Sequence, residues 1–107
     1  MRLALEPDFD VVGEAENGAK AVESCSRLSP SIVLMDVEMP VMDGIRATAA
    51  IREEGETAVV VFSFHDDQGT VDRALAAGAT AFVRKQQPAE ELIAALRLAA
   101  GQKERRV

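Results

Sequence analysis

An open α/β fold, with a parallel sheet covered by helices on both faces, is the class this sequence predicts. Three observations predict it. Short runs such as "SIVLM" (31–35) and "AVVVF" (58–62) lack polar alternation, the pattern of strands buried on both sides. Each is followed by a longer segment whose apolar residues recur three and four apart, the period of a helix. Proline and glycine breaks separate the two kinds of segment, and no internal repeat interrupts them. Repeated strand–helix units of this kind give parallel sheets with right-handed crossovers.

Taken in order, "DVVGEA" (10–15) reads as a first strand. "NGAKAVESCSRL" (17–28) reads as a helix with Val22, Cys25 and Leu28 on one face, broken by Ser29-Pro30. The strand 31–35 runs into Asp36. Asp43 is placed to N-cap a helix of Ile45, Thr48, Ala49 and Ile51, which Gly55 ends. The strand 58–62 follows, then a helix over 67–77 through Val71, Ala74 and Leu75, with Gly78 at its C-cap. "TAFVR" (80–84) is the last strand. The last helix, 88–101, has Pro88 in its first turn, Glu90 and Glu91 at its positive dipole end, and Leu92, Ile93 and Leu96 facing inward.

Composition narrows the function. With 48% apolar and 28% charged residues the chain is globular rather than disordered. A net charge of −6 disfavours binding of nucleic acid or anionic membrane by this segment. No apolar run approaches a membrane span. Residues 1–12 carry Glu6, Asp8 and Asp10, unlike a signal peptide, and the single Cys25 fits a reducing, cytoplasmic compartment.

In such folds function lies at the carboxyl ends of the strands. Those ends supply Glu14, Glu16 and Asn17, then Asp36 and Glu38, then Ser63, Phe64 and His65, then Lys85. An acid, a hydroxyl and an amine from separate strands form a set suited to phosphoryl transfer onto the acid. Read one at a time, several of these residues have plainer readings. Asp36 fits a capping or turn acid, Ser63 a turn residue, Lys85 a solvated strand-end lysine. Glu14, Glu16 and His65 fit exposed loop residues, Cys25 a small core residue, and Phe82 simple core.

The string "IVLMDVEMPVMDG", with "VVVFSFHDD" and "AGATAFVRKQQPAEEL", resembles the receiver domain of two-component response regulators. "VVGEAENG" and "AAGATAFVRK" are most similar to the LuxR/NarL-type subfamily. The likeness covers roughly residues 1–100. It implies a flavodoxin-like (CheY-like) doubly wound parallel sheet, with a receiver domain over 1–101 and a linker or tail over 102–107. It also implies Asp36 as phosphoacceptor, Ser63 as switch hydroxyl, Lys85 as phosphate-pairing lysine, and Phe82 as the aromatic whose rotamer follows the state. Magnesium would be held by Asp36 and the Glu38 backbone carbonyl. The implied partner is a sensor histidine kinase, and DNA would be reached only through a C-terminal helix-turn-helix domain outside this chain.

Two departures from the family pattern modify these expectations. Receivers open with an apolar strand ending in two adjacent acids, whereas "MRLALEPDFD" resembles the tail of the first helix and its loop. The expected sheet is therefore N-terminally truncated to about four strands. Magnesium binding is expected to be weak or absent, small phosphodonors to modify Asp36 slowly or not at all, and a homodimer or higher oligomer to form with an interface that includes the N-terminal half. Phe64 stands where many receivers have a small residue. A pseudo-receiver, a protein-interaction module without phosphorylation chemistry, is the alternative. An enzymatic reading, with Asp36 and Glu38 as the acid pair of a haloacid-dehalogenase-type phosphatase, is disfavoured by the M-P-x-M-D-G continuation, and the chain is read as non-enzymatic.

Overall fold

The computed structural model describes residues 15, 17–37, 43–63, 67–86 and 88–100. Their order is α1 (Gly18–Leu28), β1 (Ile32–Asp36), α2 (Gly44–Glu54), β2 (Ala58–Ser63), α3 (Gln68–Ala76), β3 (Ala81–Arg84) and α4 (Ala89–Ala100). The expected strand 10–15 lies outside the described residues but for Ala15. The three described strands form one parallel sheet in the order β1-β2-β3.

Local chemistry sets the helix ends. Asn17 accepts the Lys20 N–H at 2.9 Å and starts α1. Ser29 ends it in the left-handed region (φ 47°), and Pro30 follows. Asp43 caps α2 by accepting the Ile45 and Arg46 N–H groups, both at 2.9 Å. Asp67 caps α3 through the Thr70 N–H and hydroxyl. Beyond α3, Gly78 takes a φ of 107°, and the Ala79 N–H reaches back to the Ala74 carbonyl at 3.1 Å.

Helices cover both faces of the sheet. On one side Leu92, Ile93 and Leu96 of α4 pack on Ile32, Val60 and Val83. On the other, Ala21, Ala47, Ile51 and Ala74 from α1, α2 and α3 pack on Met35, Val59 and Val61. The central strand is therefore sealed on both sides: Val59, Val60 and Val61 are each 0% exposed. Burying each such side chain stabilises the fold by about 1.5–3 kcal/mol. This double covering is why the run "AVVVF" shows no alternation.

Candidate functional site

Strand alternation divides the carboxyl edge into two faces. Ile32 and Leu34 in β1, Val60 and Phe62 in β2, and Ala81 and Val83 in β3 all meet the α4 side. The same alternation puts Asp36 in line with the β1 pair and Lys85 in line with the β3 pair. Asp36 lies beside Phe62 in the register, and Phe62 beside Val83. Asp36, Phe62 and Lys85 thus close the α4-side row at its carboxyl end.

There the Lys85 ammonium donates to Asp36 Oδ2 at 2.7 Å. The Lys85 side chain is 17% exposed and that of Asp36 31%, so the pair is largely sheltered yet reachable from solvent. Lys85 Nζ also stands 4.9 Å from the centre of the Phe62 ring. Phe62 did not enter the sequence-based site, because the last letter of "AVVVF" reads simply as strand core. Counting parity from Asp36 through the sheet register is the signal that finds it.

Ser63 is fully buried and falls by alternation on the opposite face, with Val59 and Val61. Phe82 sits beside Val61 in the register and packs, partly buried, on the α1–α3 cluster. Ser63 and Phe82 therefore share one face, and Asp36 and Lys85 the other. A backbone bond joins the two sets: the Lys85 N–H donates to the Ser63 carbonyl at 3.0 Å.

Gly44 fixes the start of α2 against Asp36. Its N–H donates to the Val37 carbonyl at 3.1 Å. A Cβ placed on it would meet the Asp36 carbonyl oxygen, and would lie 2.8 Å from the Asp36 carbonyl carbon and 2.9 Å from the Val37 Cα. The Asp43-Gly44 pair thus joins a capping acid to a residue small enough to rest on the strand end.

Glu14, Glu16, Glu38, Phe64 and His65 lie outside the described residues. Among those described, no group of three or more His, Cys, Asp and Glu is placed to hold a metal. Magnesium takes six oxygens in near-octahedral geometry. At this edge the described residues offer one carboxylate, Asp36, already engaged by Lys85. By themselves they do not make a magnesium site.

Away from this edge, Cys25 borders a cleft of about 340 Å³ that also touches Ser29, Ile51, Glu54 and Thr57. Its thiol is pushed up to about 11, by burial first and by the Glu54 carboxylate second. That holds it as an unreactive thiol, in keeping with its packing against the α1–α3 cluster.

A parallel sheet covered by helices on both faces, with a carboxylate–ammonium pair at its carboxyl edge, defines an α/β domain whose candidate site lies where doubly wound folds place theirs. The response regulator receiver domain family matches residues 1–97, and the chain belongs to that family. It is 38% identical over 99 residues to the transcriptional regulatory protein DegU of Brevibacillus brevis, covering 92% of this chain and 42% of that protein. It is 43% identical over 86 residues to a protein-glutamate methylesterase/protein-glutamine glutaminase of Nocardioides sp., covering 78% of this chain and 24% of that protein. Among solved structures, the NarL signal receiver domain of Mycobacterium tuberculosis superposes with a TM-score of 0.85 at 39% identity, over 94% of this chain and 82% of that one. The fold is CheY-like and the chain is of the LuxR/NarL type. It spans less than half the length of these curated relatives, which carry receivers in transcriptional regulators and in enzymes alike. No described helix is long and apolar enough to cross a membrane.

Proposed function

We propose that this receiver is an aspartyl-phosphorylation switch, spanning 1–101 with 102–107 as linker, in a cytoplasmic, non-enzymatic regulator of transcription. The observation that carries the reading is the 2.7 Å contact between Asp36 and Lys85, residues 49 apart in sequence, at the carboxyl edge of the sheet. In the proposed reaction an Asp36 carboxylate oxygen attacks phosphorus. An acyl-phosphate bond forms as the phosphohistidine P–N bond of a sensor kinase breaks, and the imidazole leaves with the electron pair and takes up a proton. Lys85 neutralises the arriving phosphoryl oxygens. Ser63 then moves toward the phosphate and Phe82 turns inward, altering the surface around α3. A magnesium ion, where the family's acids and the Glu38 carbonyl complete its shell, would offset the repulsion between carboxylate and phosphoryl group.

The partners proposed are a sensor histidine kinase, a second copy of the chain, and DNA through a separate helix-turn-helix domain. The pseudo-receiver alternative draws on the single carboxylate that the described residues place at the edge. Intact mass after acetyl phosphate and magnesium treatment tests the choice. Slow gain of one phosphate by the 107-residue chain, absent in Asp36→Asn, is expected. No gain in a folded chain overturns the switch and leaves the interaction module.

A further inference from the structure

We propose that Phe62 is a positioning residue for this site: its ring face holds the Lys85 ammonium against the Asp36 carboxylate. The role rests on the reading of Asp36 as acceptor, but the contact itself does not. Three observations support it. Phe62 lies between the partners, beside Asp36 in the β1–β2 register and beside Val83, two residues before Lys85, in the β2–β3 register. Lys85 Nζ is 4.9 Å from the ring centre, within the range where the negative face of an aromatic ring attracts a cation. The ring is itself fixed, packed on the cluster that α4 makes with Ile32, Val60 and Val83.

A lysine stem has four rotatable bonds, and a strand-end ammonium is normally drawn outward by water. Here Lys85 lies just past the end of β3, where its backbone N–H donates to the Ser63 carbonyl at 3.0 Å. Asp36 attracts the ammonium from one side. During phosphoryl transfer that attraction passes from the carboxylate to a phosphoryl oxygen, and the lysine must shift with it without leaving the edge. An aromatic floor attracts the cation whichever anionic oxygen it pairs with, and it removes water from one side of the ammonium. Leucine would fill the space on the α4 side but offers no such face. Tyrosine would keep it.

The test uses the full 107-residue chain with carbon-13-labelled lysine, which gives signals from Lys20, Lys85 and Lys103. The order parameter of the Lys85 ε-carbon is read in the wild type, in Phe62→Leu, in Phe62→Tyr, and in chains with one, two or three fluorines on the Phe62 ring. Fluorination weakens the ring's negative face while keeping its shape, so packing alone predicts no trend. The ratio of held to free Lys85 should fall about threefold to fivefold in Phe62→Leu, recover in Phe62→Tyr, and decline stepwise along the fluorinated series. A flat fluorinated series, or Lys85 as ordered in Phe62→Leu as in the wild type, overturns the proposal. Should Phe62→Leu fail to fold, the fluorinated chains decide alone. Acetyl phosphate uptake by the same chains forms the second arm and should fall in step with the order parameter. Graded order with no phosphate uptake in any chain would sustain the contact and overturn the acceptor reading. Uptake unchanged while Lys85 loosens would overturn the positioning role.

Discussion

Adding one methyl group at Gly44 should both destabilise the domain and disturb its site. The new Cβ would stand 2.8 Å from the Asp36 carbonyl carbon and 2.9 Å from the Val37 Cα, besides meeting the Asp36 carbonyl oxygen. Favourable carbon–carbon contacts lie at about 3.5–4.0 Å, so strand end and helix start would have to separate by roughly 0.6 Å or more. All three neighbours are backbone, and no side chain can rotate away. Overpacking of this kind costs about 1–3 kcal/mol, and the better helix propensity of alanine returns at most about 1 kcal/mol. Because every close neighbour is backbone, the cost falls in the upper part of that range, about 2–3 kcal/mol; the resulting net loss of about 1–2 kcal/mol lowers Tm by roughly 4–16 °C in a domain of this size. Gly55→Ala is the internal control. Nothing lies within 4 Å of its added Cβ, and its φ of −179° is extended backbone open to any residue. That change should be neutral or stabilising by about 0.4–1 kcal/mol. Thermal melts by circular dichroism, at one protein concentration, compare the three chains. A Gly44→Ala melt that overlays Gly55→Ala would show that the β1–α2 junction yields at no cost, and the close approach would explain nothing.

Other expectations can be checked alongside. Asp43→Ala, which orphans the Ile45 and Arg46 N–H groups, should cost about 1 kcal/mol in denaturant titration, with Asp43→Asn close to wild type. Hydrogen bonds from Thr70 hold the Asp67 carboxyl below its ordinary 3.8. Its contribution to stability is therefore full above that value and lost as pH falls through the lower folded one; melts between pH 5 and pH 2 should show part of the acid loss missing in Asp67→Ala. Cys25, raised to about 11, should react with Ellman's reagent far more slowly than free cysteine at pH 8. The rate should climb with pH and rise in Glu54→Gln. Sedimentation equilibrium is expected to show a homodimer, and a monomer persisting to high concentration would refute it.

Much of this was legible beforehand, and the reasons are local. The described strands and helices fall where apolar runs and three-four periodicity put them, because every described strand is short and α1, α2 and α3 each start on a capping side chain. Asn17, Asp43 and Asp67 cap by hydrogen bonds to nearby N–H groups, and Gly78 closes α3 by its positive φ. The boundaries moved slightly, since a strand ends where its ladder ends: Asp36 and Ser63 are the last residues of β1 and β2 rather than the first of their loops. The pairing of Asp36 with Lys85 was foreseeable from strand ends alone. The Phe62 contact and the Gly44 approach were not, because each depends on distances across elements that no local pattern encodes.

The division of the edge into two faces bears on how a switch here would operate. Asp36 and Lys85 belong to the α4 side by alternation, Ser63 and Phe82 to the α1–α3 side. A charge arriving at Asp36 would therefore act first on the α4 side, across the sheet from Phe82. The described route across is the strand-end backbone, where the Lys85 N–H holds the Ser63 carbonyl at 3.0 Å. Ser63 is wholly buried, so drawing its hydroxyl toward a phosphate would leave space on the α1–α3 side. Phe82, only partly buried and packed beside that space with Val61, is the side chain placed to enter it. Close-packed interiors resist empty volume, and that resistance is what would couple movement of one hydroxyl to rotation of one ring.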